Sequence, residues 1–107
     1  MIFNGQLEVT ANNKCWLYNV TQCVFDNVKI SFDFDGVREG ARYTGHCVAY
    51  LEGLQFKGVA TFVYQGFDSY EADVKLTVKE ADGELHIDGV WQEQQTYKVF
   101  GELERCF

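Results

Sequence analysis

His46 and Cys47 are the residue types of a general base and a nucleophile, side by side in an apolar stretch. Neighbouring side chains of an extended strand point to opposite faces, so these two cannot form a dyad with each other. A structural histidine and a buried thiol are expected there. Asp33 and Asp35 lie two residues apart, which in a strand sets both carboxylates on one face about 7 Å apart. Such a pair can serve glycoside hydrolysis, or hold a divalent ion when further oxygen ligands join it. The preceding residues of that face are Lys29 and Ser31, the composition of a solvated surface, and Asp33-Phe34-Asp35-Gly36 lacks the other ligands of a calcium loop. His46 and His86 have no paired spacing that would suit a metal. Cys15, Cys23, Cys47 and Cys106 contain no Cys-x-x-Cys pair and match no zinc signature. Reduced, mostly buried thiols of a cytoplasmic protein are expected. No catalytic residue, metal ligand or cofactor is assigned, and a role other than catalysis is expected.

Charge is the more informative property. The net formal charge is −7, and it is unevenly spread. Residues 1–67 hold six acids and five bases, whereas residues 68–107 hold ten acids and four bases. Contact with phosphate needs Lys and Arg, so direct nucleic-acid binding is not expected. An acidic half suits a basic partner, although solubility alone also accounts for such a surface. The carboxylates expected to form a partner-binding face are Glu71, Asp73, Glu84, Asp88, Glu93 and Glu102. Trp16 and Tyr50 are the expected aromatic anchors, because exposed Trp and Tyr beside acids make protein-binding hot spots.

A small, acidic, single-domain chain without catalytic residues resembles, in general profile, the bacterial immunity proteins and phage-type inhibitors. That resemblance implies an inhibitor or antitoxin that neutralises a basic protein such as a nuclease toxin, with carboxylates standing in for phosphate. The alternative is a small β-barrel that binds a small apolar ligand. Gly89-Val90-Trp91 is similar to the Gly-x-Trp of lipocalin-type carriers, but it stands near the C-terminus and not in the first strand. No membrane partner is expected, since no segment approaches the ~18 consecutive apolar residues of a spanning helix. Met1-Ile2-Phe3-Asn4-Gly5-Gln6 has neither the basic start nor the apolar run of a secretory signal, which supports the cytoplasmic expectation.

The elements that must position these residues are strands. Tyr70, Ala72, Val74, Leu76 and Val78 alternate with Glu71, Asp73, Lys75, Thr77 and Lys79, the period of a half-buried strand. Asp82-Gly83 marks a hairpin, after which Leu85, Ile87, Gly89 and Trp91 share a face. Glu93-Gln94-Gln95 turns the chain into a last strand with Tyr97, Val99, Gly101 and Leu103 inward. Upstream, a hairpin is expected around Ala11-Asn12-Asn13, a strand from Val28 closed by Gly36, one over Tyr43–Leu51, and one from Phe56 turned at Gly66-Phe67-Asp68-Ser69. Phe32, Phe34, Phe56, Phe62, Tyr70, Trp91 and Tyr97 fall on inward faces, whereas Trp16, Tyr18, Tyr50 and Phe100 fall on the opposite ones or in strands apolar on both sides.

Five strands carry an apolar–x–Gly–x–apolar pattern, at Gly5, Gly45, Gly58, Gly89 and Gly101. Glycine weakens a strand, so its recurrence points to places where a sheet must curl tightly. The expected fold over residues 1–107 is one all-β domain: a small antiparallel barrel or strongly coiled sandwich of about eight strands in meander order.

Overall fold

The computed structural model describes residues 2–64 and 69–106. Its strands are β1 (Ile2–Ala11), β2 (Lys14–Phe25), β3 (Lys29–Arg38), β4 (Ala41–Glu52), β5 (Gln55–Tyr64), β6 (Ser69–Ala81), β7 (Glu84–Gln92) and β8 (Thr96–Cys106). Each pairs antiparallel with its successor, and β8 pairs with β1 from Ile2↔Cys106 to Thr10↔Lys98. The result is a closed eight-stranded meander barrel, so the expected choice between barrel and sandwich falls to the barrel. Closure removes both sheet edges, leaving no exposed ladder for another chain to join.

Period-two alternation sorts the side chains. Phe3, Leu7, Val9, Val20, Ile30, Phe32, Ala49, Ala60, Val74, Leu76, Leu85, Ile87, Trp91 and Leu103 are buried inside. Charged and polar residues take many of the intervening outward positions, interspersed with exposed apolar ones such as Leu17, Val37 and Phe100. Among the described residues no helix is long and apolar enough to cross a membrane.

Two of the strand glycines show why the sheet can curl this far. A Cβ on Gly58 would stand 1.9 Å from the Val48 carbonyl oxygen, and one on Gly89 would stand 2.0 Å from that of Lys75. At both points the neighbouring backbone has moved into the space a side chain needs, which is how a small barrel closes.

Several expectations need correction. Gly36 does not close β3, which runs on to Arg38. Tyr18 is fully buried, because a bulge between Thr21 and Val24 changes the inward phase of β2 from even to odd positions. Tyr70 keeps the inward register but lies at the end of its strand, where it is half exposed. All four cysteines are free thiols, yet only Cys23 and Cys47 are buried; Cys15 and Cys106 are exposed. The turn expected at Gly66–Ser69 lies, except for Ser69, outside the described residues.

Alternation of the hairpins gives the barrel two ends. The turns at Asn12-Asn13, Glu39-Gly40 and Glu93–Gln95 cluster at one, together with the ends of β5 and β6. At the other end Phe25 and Phe56 pack with ring centroids 5.6 Å apart.

Candidate functional site at the barrel mouth

The end that carries Glu39 and Glu93 opens into a cavity of about 650 Å³. Six aromatic rings, Trp16, Tyr43, Phe62, Tyr64, Tyr70 and Tyr97, share its wall with polar and charged side chains. Such a volume falls within the usual range for small-molecule sites.

Arg38 lies at its base, and the strand phase explains why. Ile30, Phe32 and Phe34 face inward on β3, so Gly36 and Arg38 continue that face. Gly36 pairs with Tyr18, and a Cβ there would lie 2.5 Å from Tyr18 Cδ1. The tyrosine ring therefore occupies the room that the missing side chain leaves. Two residues later Arg38 turns into the mouth, only 5 % exposed. The Glu39-Gly40 turn, with φ of 55° and 78°, then returns the chain to β4.

A buried guanidinium needs both counter-charge and packing. Arg38 Nη2 donates to Glu93 Oε1 at 2.9 Å and to Oε2 at 3.2 Å. Its carbon lies 4.3 Å from the Tyr43 ring centre, 4.9 Å from that of Tyr97 and 5.6 Å from that of Trp16. Burial works against the charge, but the Glu93 hydrogen bond and the surrounding tyrosines outweigh it and hold Arg38 above its ordinary range. Glu93 is fixed from a second side by Trp91 Nε1–H, which donates to Oε2 at 2.8 Å.

The rim is tied by polar side chains. Asn12 Nδ2 donates to Gln95 Oε1 at 2.9 Å, and Gln95 Nε2 donates to Tyr97 Oη at 2.9 Å. Lys14 pairs with Glu39 at 3.3 Å. Two groups beneath the mouth stay unmatched: Arg38 Nη1 and Tyr18 Oη have no hydrogen-bond partner among the described residues. Tyr18 stacks on Phe34 at 5.5 Å and on Tyr43 at 6.2 Å. Its burial pushes the phenol well above the usual tyrosine range, a shift that the nearby Arg38 charge only partly offsets.

The residues expected to form one acidic face are divided by the fold. Glu93 turns inward, its side chain only 17 % exposed, and neutralises Arg38. Glu71 and Asp73 are exposed on β6, toward the mouth. A row of paired positions, Thr10–Lys98–Val90–Lys75–Lys57, separates them from Glu84, Asp88 and Glu102. The latter three are brought together on β7 and β8, with Glu8 and Glu104 added, around a half-exposed Phe100. Trp16 belongs to the mouth, while Tyr50 stands on the outer face of β4 beneath the Lys29 ammonium, 5.7 Å from its ring centre.

Of the candidates considered for catalysis, His46 and Cys47 do point to opposite sides, one exposed and one buried. His46 Nδ1 lies 2.6 Å from Asp33 Oδ1, and Asp35 pairs with Arg42 at 3.3 Å. Both pairs stand on the outer wall of the barrel. Burial pushes the Cys23 and Cys47 thiols up to about 12, the opposite of an activated nucleophile.

Arg38 and Glu93 carry the site and had not been singled out from sequence as a pair. The available signal was phase: each extends the inward alternation of its strand by one further step. In comparisons with known proteins, no family model, curated protein or solved structure matches this chain.

Proposed function

We propose that the protein is a small-molecule-binding barrel whose site is the open mouth above Arg38. The observation that carries this reading is the buried Arg38–Glu93 pair set among Trp16, Tyr43 and Tyr97 at the base of an open aromatic cavity. A buried ion pair adds little net stability over apolar packing of similar volume, so its place at the cavity base supports a role in binding. The barrel interior below is filled by side chains, which confines the ligand to the mouth. A cytoplasmic location, with all four thiols reduced, belongs to the same proposal.

A second reading keeps the acidic protein-binding module, an inhibitor or immunity-type protein that engages a basic partner such as a nuclease toxin. It is favoured by Phe100, 48 % exposed and ringed by Glu8, Asp88 and Glu102. An apolar anchor inside a carboxylate ring fits a basic surface with one apolar recess.

One experiment separates the two. The protein, purified gently from its own cells, is weighed by native mass spectrometry. A ligand barrel shows a mass excess of a few hundred daltons that vanishes on denaturation. The module shows a stoichiometric basic protein, lost when Glu84, Asp88 and Glu102 are reversed in charge. A bare monomer that also fails to take up any aromatic probe at the mouth rejects the first reading.

A further inference from the structure

We infer that the outer wall around Leu17 and Phe100 docks a basic amphipathic helix of a partner protein; this rests on the protein-binding reading and names its contact surface. Register places that surface. Leu17 pairs with Glu8, Glu8 with Phe100 and Phe100 with Asp88, so the four residues share one outward row across β2, β1, β8 and β7. Leu17 is 51 % exposed and Phe100 48 %. They line one depression of about 560 Å³ together with Glu8, Glu84, Glu102 and Glu104, and no Lys or Arg among the described residues lines it. Two large apolar side chains that meet water in the same depression gain from being covered.

Charge selects the cover. The carboxylates of Glu8, Asp88 and Glu104 have no ion pair or hydrogen bond among the described residues, and His86 stands 3.3 Å from Glu84 and 4.0 Å from Glu102. A second copy of the chain would bring the same acids face to face. Lys and Arg of a partner meet them favourably. Closure then selects the partner's docking element. With β8 paired to β1 no ladder is free for an extended segment, so the docking segment must bond its own backbone, as a helix does.

Orientation follows from the neighbouring rows. Lys98 and Lys75 bound the Leu17–Phe100 row on the mouth side, whereas Glu102, then Glu104 and Glu84, follow it on the other. The helix therefore lays its apolar stripe over Leu17 and Phe100 and turns its basic flank away from the mouth.

The test titrates the full chain with two probes of equal length, a Leu-Lys peptide patterned as an amphipathic helix and oligolysine. Binding is followed by NMR at the backbone amides of Leu17 and Phe100, at physiological salt. The Leu-Lys peptide is expected to bind roughly tenfold tighter, the ratio that covering part of two apolar side chains supplies. Leu17→Thr with Phe100→Thr, both at exposed strand positions, should erase that ratio. Glu84→Gln with Glu102→Gln should weaken both probes several-fold. Glu71→Gln with Asp73→Asn, beyond the lysine row, should change neither by more than about twofold. A ratio indifferent to the threonine variant, or equal losses from the two carboxylate pairs, overturns the inference. Attraction then follows net charge alone, and the protein-binding reading stands for another face. Silent amides sink the inference alone if a stoichiometric basic protein still copurifies from the cells, and sink the reading with it if none does.

Discussion

Removing the carboxylate of Glu93 would leave the Arg38 guanidinium buried among three rings without a counter-charge. Glu93→Gln keeps a hydrogen-bonding side chain for Trp91 but not the charge, so it should cost about 3 kcal/mol in urea unfolding. Arg38→Met combined with Glu93→Leu removes both charges and should recover most of that loss, because a buried pair is close in stability to apolar packing of similar volume. A double variant as unstable as Glu93→Gln alone would mean that the pair is structural, and would undercut a binding role for the mouth. The thiols make a second contrast at this scale. Cys15 and Cys106 are exposed, whereas Cys23 and Cys47 are enclosed and held protonated. At pH 8 a disulfide-type thiol reagent should therefore label two cysteines quickly in the native protein and all four after denaturation. Four fast-reacting thiols in the native protein would be incompatible with this core.

At the scale of the elements, glycine position decides whether the sheet closes. Gly58→Ala places a Cβ against the Val48 backbone, which cannot yield without shifting β4, and should destabilise by about 3 kcal/mol. Gly53, by contrast, has φ of 69° in a turn with open space around it. Gly53→Asn should cost less than about 1 kcal/mol, since asparagine tolerates that conformation. Equal losses at the two sites, measured by urea denaturation, would refute the close-approach account of strand glycine. The same elements explain what could be read in advance. The alternation from Tyr70 to Leu103 marked β6, β7 and β8 because each strand has one wet face, and the recurrent glycines marked the barrel. Tyr18 was misplaced because β2 is apolar on both sides and changes phase at its bulge, which no periodicity reveals. Arg38 was missed because Gly36 resembles a strand end, and the Tyr18 ring that fills the space over Gly36 comes from another strand. Glu93 stands in a Glu-Gln-Gln run that has the composition of a solvated turn; only pairing with Arg38, fifty-five residues away, draws it inward.

The whole molecule responds to pH through groups that the closed barrel encloses. Cys23 and Cys47 rise from 9.0 to about 12 inside the core, chiefly through burial, and the proximity of Cys23 adds to the rise at Cys47. Tyr18 and Tyr43 are raised for the same leading reason. For each of these groups the neutral form binds its proton more tightly in the folded chain than in the unfolded one. Their contribution is thus fully present below pH 9 and drains away as the unfolded thiols ionise while the folded ones do not. The slope should be about 1.4 kcal/mol per pH unit for each buried thiol between pH 9 and 12, with the tyrosines adding to it above pH 10. Chemical denaturation at a series of pH values reads that slope directly. Replacing Cys23 and Cys47 together by alanine should flatten the slope between pH 9 and 10 by nearly its whole value, even though the cavities lower stability at neutral pH. An unchanged slope in that variant would mean that the two thiols already ionise freely in the native protein, which a sealed barrel interior does not permit.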